Sequence, residues 1–356
     1  MRPLRLALLT SLAGMGLAWS TARLAAPALR FSAALLGGAA LVLVLDALLR
    51  RSHRGLPLYR RHLAVGLLGL AAAALGGARP GGYDLLAPAG GGFGAVLGLT
   101  FSLAGRLRGR DLEAFSWLRG EARRGDPSRP LILVADPHWR DALVGLEETT
   151  AAHPEADWLF LGDVFDVWVG LPGMATDGHR AFLAWVRARR EAGRWVGLWL
   201  GNREYFLDGL AGAFDLMGEG TGGGLAEEGL AFEHGDWINP RDWRYRLWNA
   251  VSRSGPMWLF FSLMPGFLAR RLAVGLERRL RTTNRAYKLA FPREAFEAAA
   301  RASGGRTFLT GHFHTLEREA NGIALPWAFE GEFWVWRGGR AEPLESASTS
   351  TPQAAP

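Results

Sequence analysis

The sequence contains no cysteine, a single lysine and, in its first 129 residues, only six acidic side chains. The missing cysteine excludes disulfides, thiolate metal sites and a cysteine nucleophile. Of the 41 basic residues, only Lys288 is a lysine. The scarcity of acids at the start has the larger consequence. Residues 1–129 set 17 Arg against those six acids, a net +11 in a chain whose total is +7, so the remainder carries −4. A basic excess confined to one third of the chain and interleaved with apolar runs points to membrane lipids as partners, and away from nucleic acid. At 356 residues, 49% hydrophobic and 21% charged, the chain has room for more than one domain and is neither broadly disordered nor collagen-like.

Four stretches of the first third lack charge: residues 6–22, 31–45, 62–78 and 85–104. Each approaches the roughly 20 residues that a helix needs to cross a bilayer. Arg2 and Arg5 precede the first, Arg50, Arg51, Arg54, Arg60 and Arg61 lie between the second and third, and Arg106, Arg108 and Arg110 follow the fourth. Placing all three clusters in the cytoplasm predicts an α-helical transmembrane region over 1–105 with about four spans. The expected location is then the cytoplasmic (inner) membrane, with the rest of the chain facing the cytoplasm. Three alternatives stand beside it: a signal anchor or cleaved signal peptide for the first run, an interfacial helical hairpin, and a soluble extension. Residues 106–130 turn polar and rich in breaks, and read as a linker.

Beyond residue 130 a pattern repeats. Residues 131–135 form an apolar run closed by Asp136-Pro137; 158–161 end in Gly162-Asp163, 195–200 in Gly201-Asn202, 230–232 in Glu233-His234, and 307–310 in Gly311-His312. Helical patterns such as 178–192 lie between them. Buried strands alternating with helices predict an α/β domain, and the edge beyond the carboxyl ends of such strands is where ligands bind.

Taken singly, a Gly-Asp pair is usually a turn and a lone His a packed or surface ring. In order, Asp136-x-His138, Gly162-Asp163, Gly201-Asn202-Arg203-Glu204, His234-Gly235-Asp236 and Gly311-His312-x-His314 put four His, three Asp and an Asn at or just past strand ends. Carboxylate, carboxamide and imidazole together suit borderline-hard divalent ions, and a pair of such ions can clamp a phosphoryl group and activate water. The set resembles the calcineurin-like metallophosphoesterase superfamily, whose blocks run D-x-H, G-D, G-N-[HR]-[DE], H-G and G-H-x-H. The resemblance implies a sandwich of two sheets flanked by helices over 131–340, with a tail at 341–356. It also implies two divalent ions, typically Mn2+, that share Asp163. One would take Asp136, His138, Asp163 and His314, and the other Asp163, Asn202, His234 and His312. Arg203, with Asn202 and His234, forms the catalytic set, its guanidinium suited to charge on phosphoryl oxygens.

Many members of that superfamily carry His where Arg203 stands. A guanidinium stays protonated and is a poor general acid, which favours a leaving group that needs no proton, such as the phosphate released from a diphosphate. Residues 162–170, GDVFDVWVG, resemble the G-D-[LIV]-F-[DE]-x-W-[IV]-G block of UDP-2,3-diacylglucosamine hydrolases, which split a UDP-lipid into UMP and a lipid 1-phosphate in lipid A synthesis. His234-Gly-Asp followed by Asp242 and Tyr245 is similar to their H-G-D-x5-D-x2-Y pattern. The insertion 243–289 resembles their helical lid: residues 257–268 are apolar enough to line an acyl pocket or dip into an interface, and an ordinary core helix is the alternative. Asp166, Trp168, Asp242, Tyr245, Arg281, Asn284 and Lys288 are the substrate contacts this likeness implies, and a solvated helix face is the alternative for the last three. The last block reads Gly-His-Phe-His, and Glu204 stands where Asp is common. The expected activity is metal-dependent hydrolysis of a nucleotide-diphosphate lipid. The alternatives are another lipid pyrophosphate or phosphodiester, and a scaffold that binds without catalysis.

Overall fold

The computed structural model describes residues 27–52, 64–69, 71, 78–79, 82–83, 89–96, 98, 115–116, 122–140, 142–171, 173–240, 242–269, 271–272, 274–275, 291–328 and 331–344. The chain divides into two compact units, Met1–Asp111 with Arg244–Leu259, and Leu112–Trp243 with Phe260–Pro356.

The first unit contains helix α1 (Pro27–Ser52) and a short antiparallel pair, β1 (Ala78–Arg79) and β2 (Gly82–Tyr83). Further helical residues span 64–69 and 89–96. Val42, Val65 and Ala95 form a small buried cluster. At Gly94 a Cβ would overlap the carbonyl of Leu35, so here two helix backbones approach closely, with no side chain between them. No helix among the described residues is long and apolar enough to cross a membrane, which overturns the expected four-span region. The physical reason is visible in α1, where Arg30 and Asp46 bound an uncharged stretch of 15 residues. At 1.5 Å per residue that stretch reaches about 22 Å, short of the ~30 Å hydrocarbon core. The described helical residues of the third and fourth runs are shorter still, and the first run, 6–22, lies outside the described residues.

The second unit is α/β with mixed sheets. Its elements begin with β3 (Phe115–Ser116), β4 (Leu131–Val134), α2 (Leu146–Ala152), β5 (Asp157–Phe160), β6 (Trp168–Val169), α3 (Asp177–Glu191), β7 (Val196–Leu200) and β8 (Glu204–Tyr205). A 3-10 helix (Leu207–Ala213) leads to β9 (Leu216–Glu219), β10 (Gly223–Leu225) and β11 (Leu230–Glu233). Helix α4 (Trp243–Ser252) from Arg244 on and α5 (Gly255–Leu263) as far as Leu259 belong to the first unit; the second continues with α6 (Arg293–Arg301), β12 (Thr307–Thr310), β13 (Glu317–Glu319), β14 (Gly322–Ala324), β15 (Trp334–Arg337) and β16 (Arg340–Pro343).

One sheet has seven strands in the order β16-β15-β4-β5-β7-β9-β3, with β4, β5, β7 and β9 parallel. The other has five, β10-β11-β12-β14-β13, with β11, β12 and β14 parallel. The parallel strands read as unbroken apolar runs because both of their faces are covered. Along β4 and β5 alternate residues serve two cores. Leu131, Leu133 and Leu159 join Phe232 and Leu309 of the five-stranded sheet in the layer between the sheets. Ile132, Val134, Trp158 and Phe160 point the other way, against Phe182 and Val186 of α3. Helix α3 starts at a capping box: Thr176 Oγ1 accepts from His179 N–H at 3.2 Å, and His179 Nδ1 accepts from Thr176 N–H at 3.1 Å. On the far face of the second sheet, Phe296 and Ala300 of α6 pack on Phe308 and Ala324.

Residues 122–130, within the stretch read as a linker, are fastened to this unit. Ala122 bridges to Leu225. The buried Arg124 donates through Nε to Glu228 at 2.6 Å and through Nη1 to Asp157 at 3.0 Å. Asp157 also accepts the N–H of Trp195 at 2.9 Å, which joins the segment to β7. At the other end β16 continues past residue 340, the boundary expected for the domain.

Candidate metal centre

All five chemistry-bearing loops leave the carboxyl ends of parallel strands: β4, β5, β7, β11 and β12. Their convergence constrains the backbone. Asp136, His138, Asp163, His312 and His314 all have positive φ, between 48° and 66°, and only two other non-glycine residues among those described do so. Such conformations cost of order 1–3 kcal/mol each and gather where a site demands them. Glycines leave the space required: a Cβ on Gly201 would collide with Asp163 Oδ1, and one on Gly311 with Asp136 Oδ2.

Asp136, fully buried, sits at the centre. Its Oδ2 accepts the N–H of His312 at 2.6 Å. Its Oδ1 has no hydrogen-bond partner, and lies 3.5 Å from His314 Nε2 and 4.0 Å from His234 Nε2. Asp163 Oδ1 accepts the backbone N–H of Arg203 at 2.8 Å and is 3.6 Å from His234 Nε2. Asp163 Oδ2 is 3.6 Å from Arg203 Nε and 3.8 Å from His138 Nε2. Asn202 Oδ1 lies 3.1 Å from His234 Nε2 and 3.0 Å from His312 Nδ1.

The electrostatics follow from burial and from these neighbours. Burial alone would raise Asp136, but the facing His234 and His314 hold its carboxyl below the usual range. Burial raises Asp163 despite His234 and Arg203. Burial pushes His138 down to about 3, so this ring is neutral at pH 7 with a lone pair to give. For His234, burial opposes the charged ring, yet Asp163 and Asp136 outweigh it and raise the group to about 9.

The donor set fits divalent ions. An orphaned buried carboxylate oxygen is one sign. Another is the closeness of ring nitrogens, His138 Nε2 to His314 Nε2 at 3.4 Å and His234 Nε2 to His312 Nδ1 at 3.3 Å: without a metal one ring of each pair donates its N–H to the other, and with the rings neutral and the tautomers exchanged the same nitrogens can turn lone pairs to an ion. Asp136, His138 and His314 offer one group of ligand atoms, and Asp136, Asp163 and His234 a second. Asp136 is thus common to both, where the expectation was a shared Asp163. A backing contact orients one of the rings: His234 Nδ1 lies 2.8 Å from the carbonyl of Leu161, which leaves Nε2 toward the site; His138 Nδ1 is 3.9 Å from Asp166, beyond hydrogen-bond reach.

Other expected residues fall in different places. Asp166 is near the centre and accepts from Arg140 at 2.8 Å. Trp168 is a core residue, 1% exposed, stacked on His179 and edge-on to Phe165 and Phe182. Buried among these rings, it has no face open to a substrate. Asp242 donates its N–H to Asn239 O, and the Tyr245 hydroxyl accepts from Asn249 Nδ2 at 2.8 Å. Arg281, Asn284 and Lys288 lie outside the described residues. In the expected lid, α5 ends before Met264-Pro265 and a helical turn resumes at 266–269, with Phe260, Leu263 and Phe267 at least half exposed.

Two residues with a part in the site lie outside the expected set. Glu204, 1% exposed, accepts from Asp163 and Gly201 N–H through Oε2 and from Val164 N–H through Oε1. Trp327 lies flat on His314, with ring centroids 5.2 Å apart and planes at 17°. Glu204 carried a signal, as an acid beside the Asn202 block. Trp327 carried only its place shortly after the last apolar run. Compared with known proteins, the chain matches no protein-family model and no curated protein. A functional reading must therefore come from the site.

Proposed function

We propose that this protein is a metal-dependent phosphoric ester hydrolase that cleaves the diphosphate of UDP-2,3-diacylglucosamine, or of a close nucleotide-diphosphate lipid, to UMP and a lipid 1-phosphate. The observation that carries the reading is the buried Asp136, whose Oδ1 lacks a hydrogen-bond partner while imidazoles and Asp163 converge on it. Asp136, His138 and His314 would hold one divalent ion, and Asp136 again with Asp163 and His234, Asn202 and His312 lying beside them, a second. Such ions, Mn2+ by expectation, supply Lewis acidity toward phosphoryl oxygens and make bound water nucleophilic near neutral pH. The chain's own part is to hold and orient. Backing by Leu161 O aims His234, and the neutral His138 gives its lone pair. The guanidinium of Arg203, beside Asp163 and 12% exposed, binds the non-bridging oxygens and stabilises the charge that builds on them.

Arg203 does not transfer a proton, and that supports a diphosphate, whose departing phosphate is already stable as an anion. Asp166 and Asp242 are the proposed contacts to the rest of the substrate. A lipid substrate requires the catalytic unit to work at a membrane surface, and the cytoplasmic face of the inner membrane is the proposed place. The test is UMP release from UDP-2,3-diacylglucosamine by the full-length protein with Mn2+, with Asp163→Ala as the control. Release that disappears in the variant supports substrate and mechanism together. Release of phosphate or alcohol from other phosphodiesters only would keep the metal chemistry and discard this substrate. Activity unchanged in Asp163→Ala would overturn both.

A further inference from the structure

His314 is held in a way that the other rings of the centre are not described to be. His234 is aimed by the Leu161 carbonyl through Nδ1, and His138 Nδ1 faces the Asp166 carboxylate from 3.9 Å, beyond hydrogen-bond reach. His314, among its other contacts, lies offset-stacked on the indole of Trp327, centroids 5.2 Å apart and planes at 17°. Its edge meets His138 at a centroid distance of 5.3 Å, and its Nε2 points at Asp136 Oδ1.

The indole is itself anchored by backbone. Leu325 donates its N–H to Thr310 O, at the end of β12, and Ala328 donates to Ala135 O, just past β4, both at 2.8 Å. These two bonds clamp the segment Leu325-Pro326-Trp327-Ala328 between the strands that launch His312 and Asp136. Pro326 restricts it further by fixing its own φ. Trp327 is nevertheless 43% exposed, so it does not serve chiefly to fill a core. A large flat side chain kept half in water, on a rigid segment and against one ligand ring, has the attributes of a device for fixing that ring.

We propose that Trp327 is a positioning residue for the metal group formed by Asp136, His138 and His314. By covering one face of His314 it removes rotation about the side chain's outer torsion, so Nε2 stays aimed at Asp136 Oδ1 and His138 before an ion arrives. Ligand rings fixed in advance lose less freedom on binding, and residues that back metal ligands typically contribute about 10- to 100-fold in affinity. The group that contains His234 has its own support from Leu161 and gains nothing from the indole. The inference rests on the metal-centre part of the function proposed above and is independent of the substrate.

The experiment is a titration of the full-length, metal-free protein with Mn2+, with free ion followed by its electron paramagnetic resonance signal. Wild type is compared with Trp327→Ala, Trp327→Leu and Trp327→Phe. The expected result is two bound ions in wild type, with one of them weakened about 10-fold or more in the Ala and Leu variants, in the range seen for residues that back metal ligands. Phe, which keeps a flat aromatic face for the imidazole, restores affinity to within about threefold. Melting in chelator should be unchanged across the series, since the side chain is half exposed. If Leu serves as well as Phe, or Ala binds both ions as wild type does, the inference is overturned while the metal centre stands. Equal weakening of both ions overturns it as well, as would a wild type that binds no Mn2+, which would remove the metal centre too.

Discussion

Glu204 accepts the backbone N–H of Asp163 at 3.0 Å through the same oxygen, Oε2, that accepts the N–H of Gly201 at 2.8 Å. One buried carboxylate therefore ties the loop after β5 to the loop after β7, and its other oxygen takes the N–H of Val164 at 2.7 Å. Burial, then the neighbouring Asp163, raises Glu204 to about 7, against the opposing pull of His234 and of the main-chain donors of Gly201 and Val164.

Glu204→Ala strands three buried N–H groups. At about 1–3 kcal/mol for each unsatisfied group, the variant should lose about 3 kcal/mol or more of stability. Denaturant unfolding of the metal-free protein measures this. A loss under about 1 kcal/mol would mean that water replaces the carboxylate and that the loops do not depend on it.

Asp136 is common to both groups of ligand atoms, so its removal should not spare either ion. Asp136→Asn keeps the shape and an oxygen to accept from His312, yet lacks the second anionic oxygen. Metal analysis after dialysis should find less than one ion per chain, against two in wild type. Retention of one full ion would assign Asp136 to a single group.

His234 predicts a pH dependence with a definite sign. Its folded value is raised to about 9 from 6.5, chiefly by Asp163 and Asp136 working against burial. In metal-free protein the charged ring therefore contributes stability that is complete below pH 6.5 and lost as pH rises through 9. Thermal melting in chelator should show a decline over that window that is absent from His234→Asn. An ion needs the neutral ring, so Mn2+ binding at pH 7.5 should release a proton, and calorimetry in buffers of different ionisation enthalpy reads that number directly.

Arg203 contacts Asp163 twice, through its main-chain N–H and through its guanidinium. Arg203→Lys keeps the first contact and the charge but not the forked donors. If Arg203 stabilises the transition state, kcat for UMP release should fall about 100-fold with little change in KM. A rise in KM alone would make Arg203 a ground-state binding residue.

Much of the centre was legible because its residues announce themselves locally. An apolar run closed by Gly-Asp163, Gly-Asn202 or Gly-His312 reads as a buried strand that delivers a polar side chain at its end, and parallel pairing of β4, β5, β7, β11 and β12 does bring those ends together. Glu204 and Trp327 were harder because neither contact is marked by a local motif. Glu204 bonds backbone donors some 40 positions away, and main-chain donors leave no mark on residue type. Trp168 misled in the opposite direction, since a motif position suggested a contact surface while Phe165, His179 and Phe182 enclose it in the core. In the first third, the uncharged runs were set against the length of a span, and the 15 residues that Arg30 and Asp46 leave in α1 fall short of it.

The fastening of Arg124 sets where a shortened form of this protein may begin. A chain started at Pro130, the natural choice if residues 106–130 were a tether, would delete the guanidinium and leave Asp157 and Glu228 buried with no cation. Breaking a buried pair from one side costs about 3–5 kcal/mol. Such a fragment should aggregate or melt early for reasons unrelated to the metals. A start before Ala122 keeps both the bridge to Leu225 and the ion cluster, and is the form in which the second unit should be asked to fold alone.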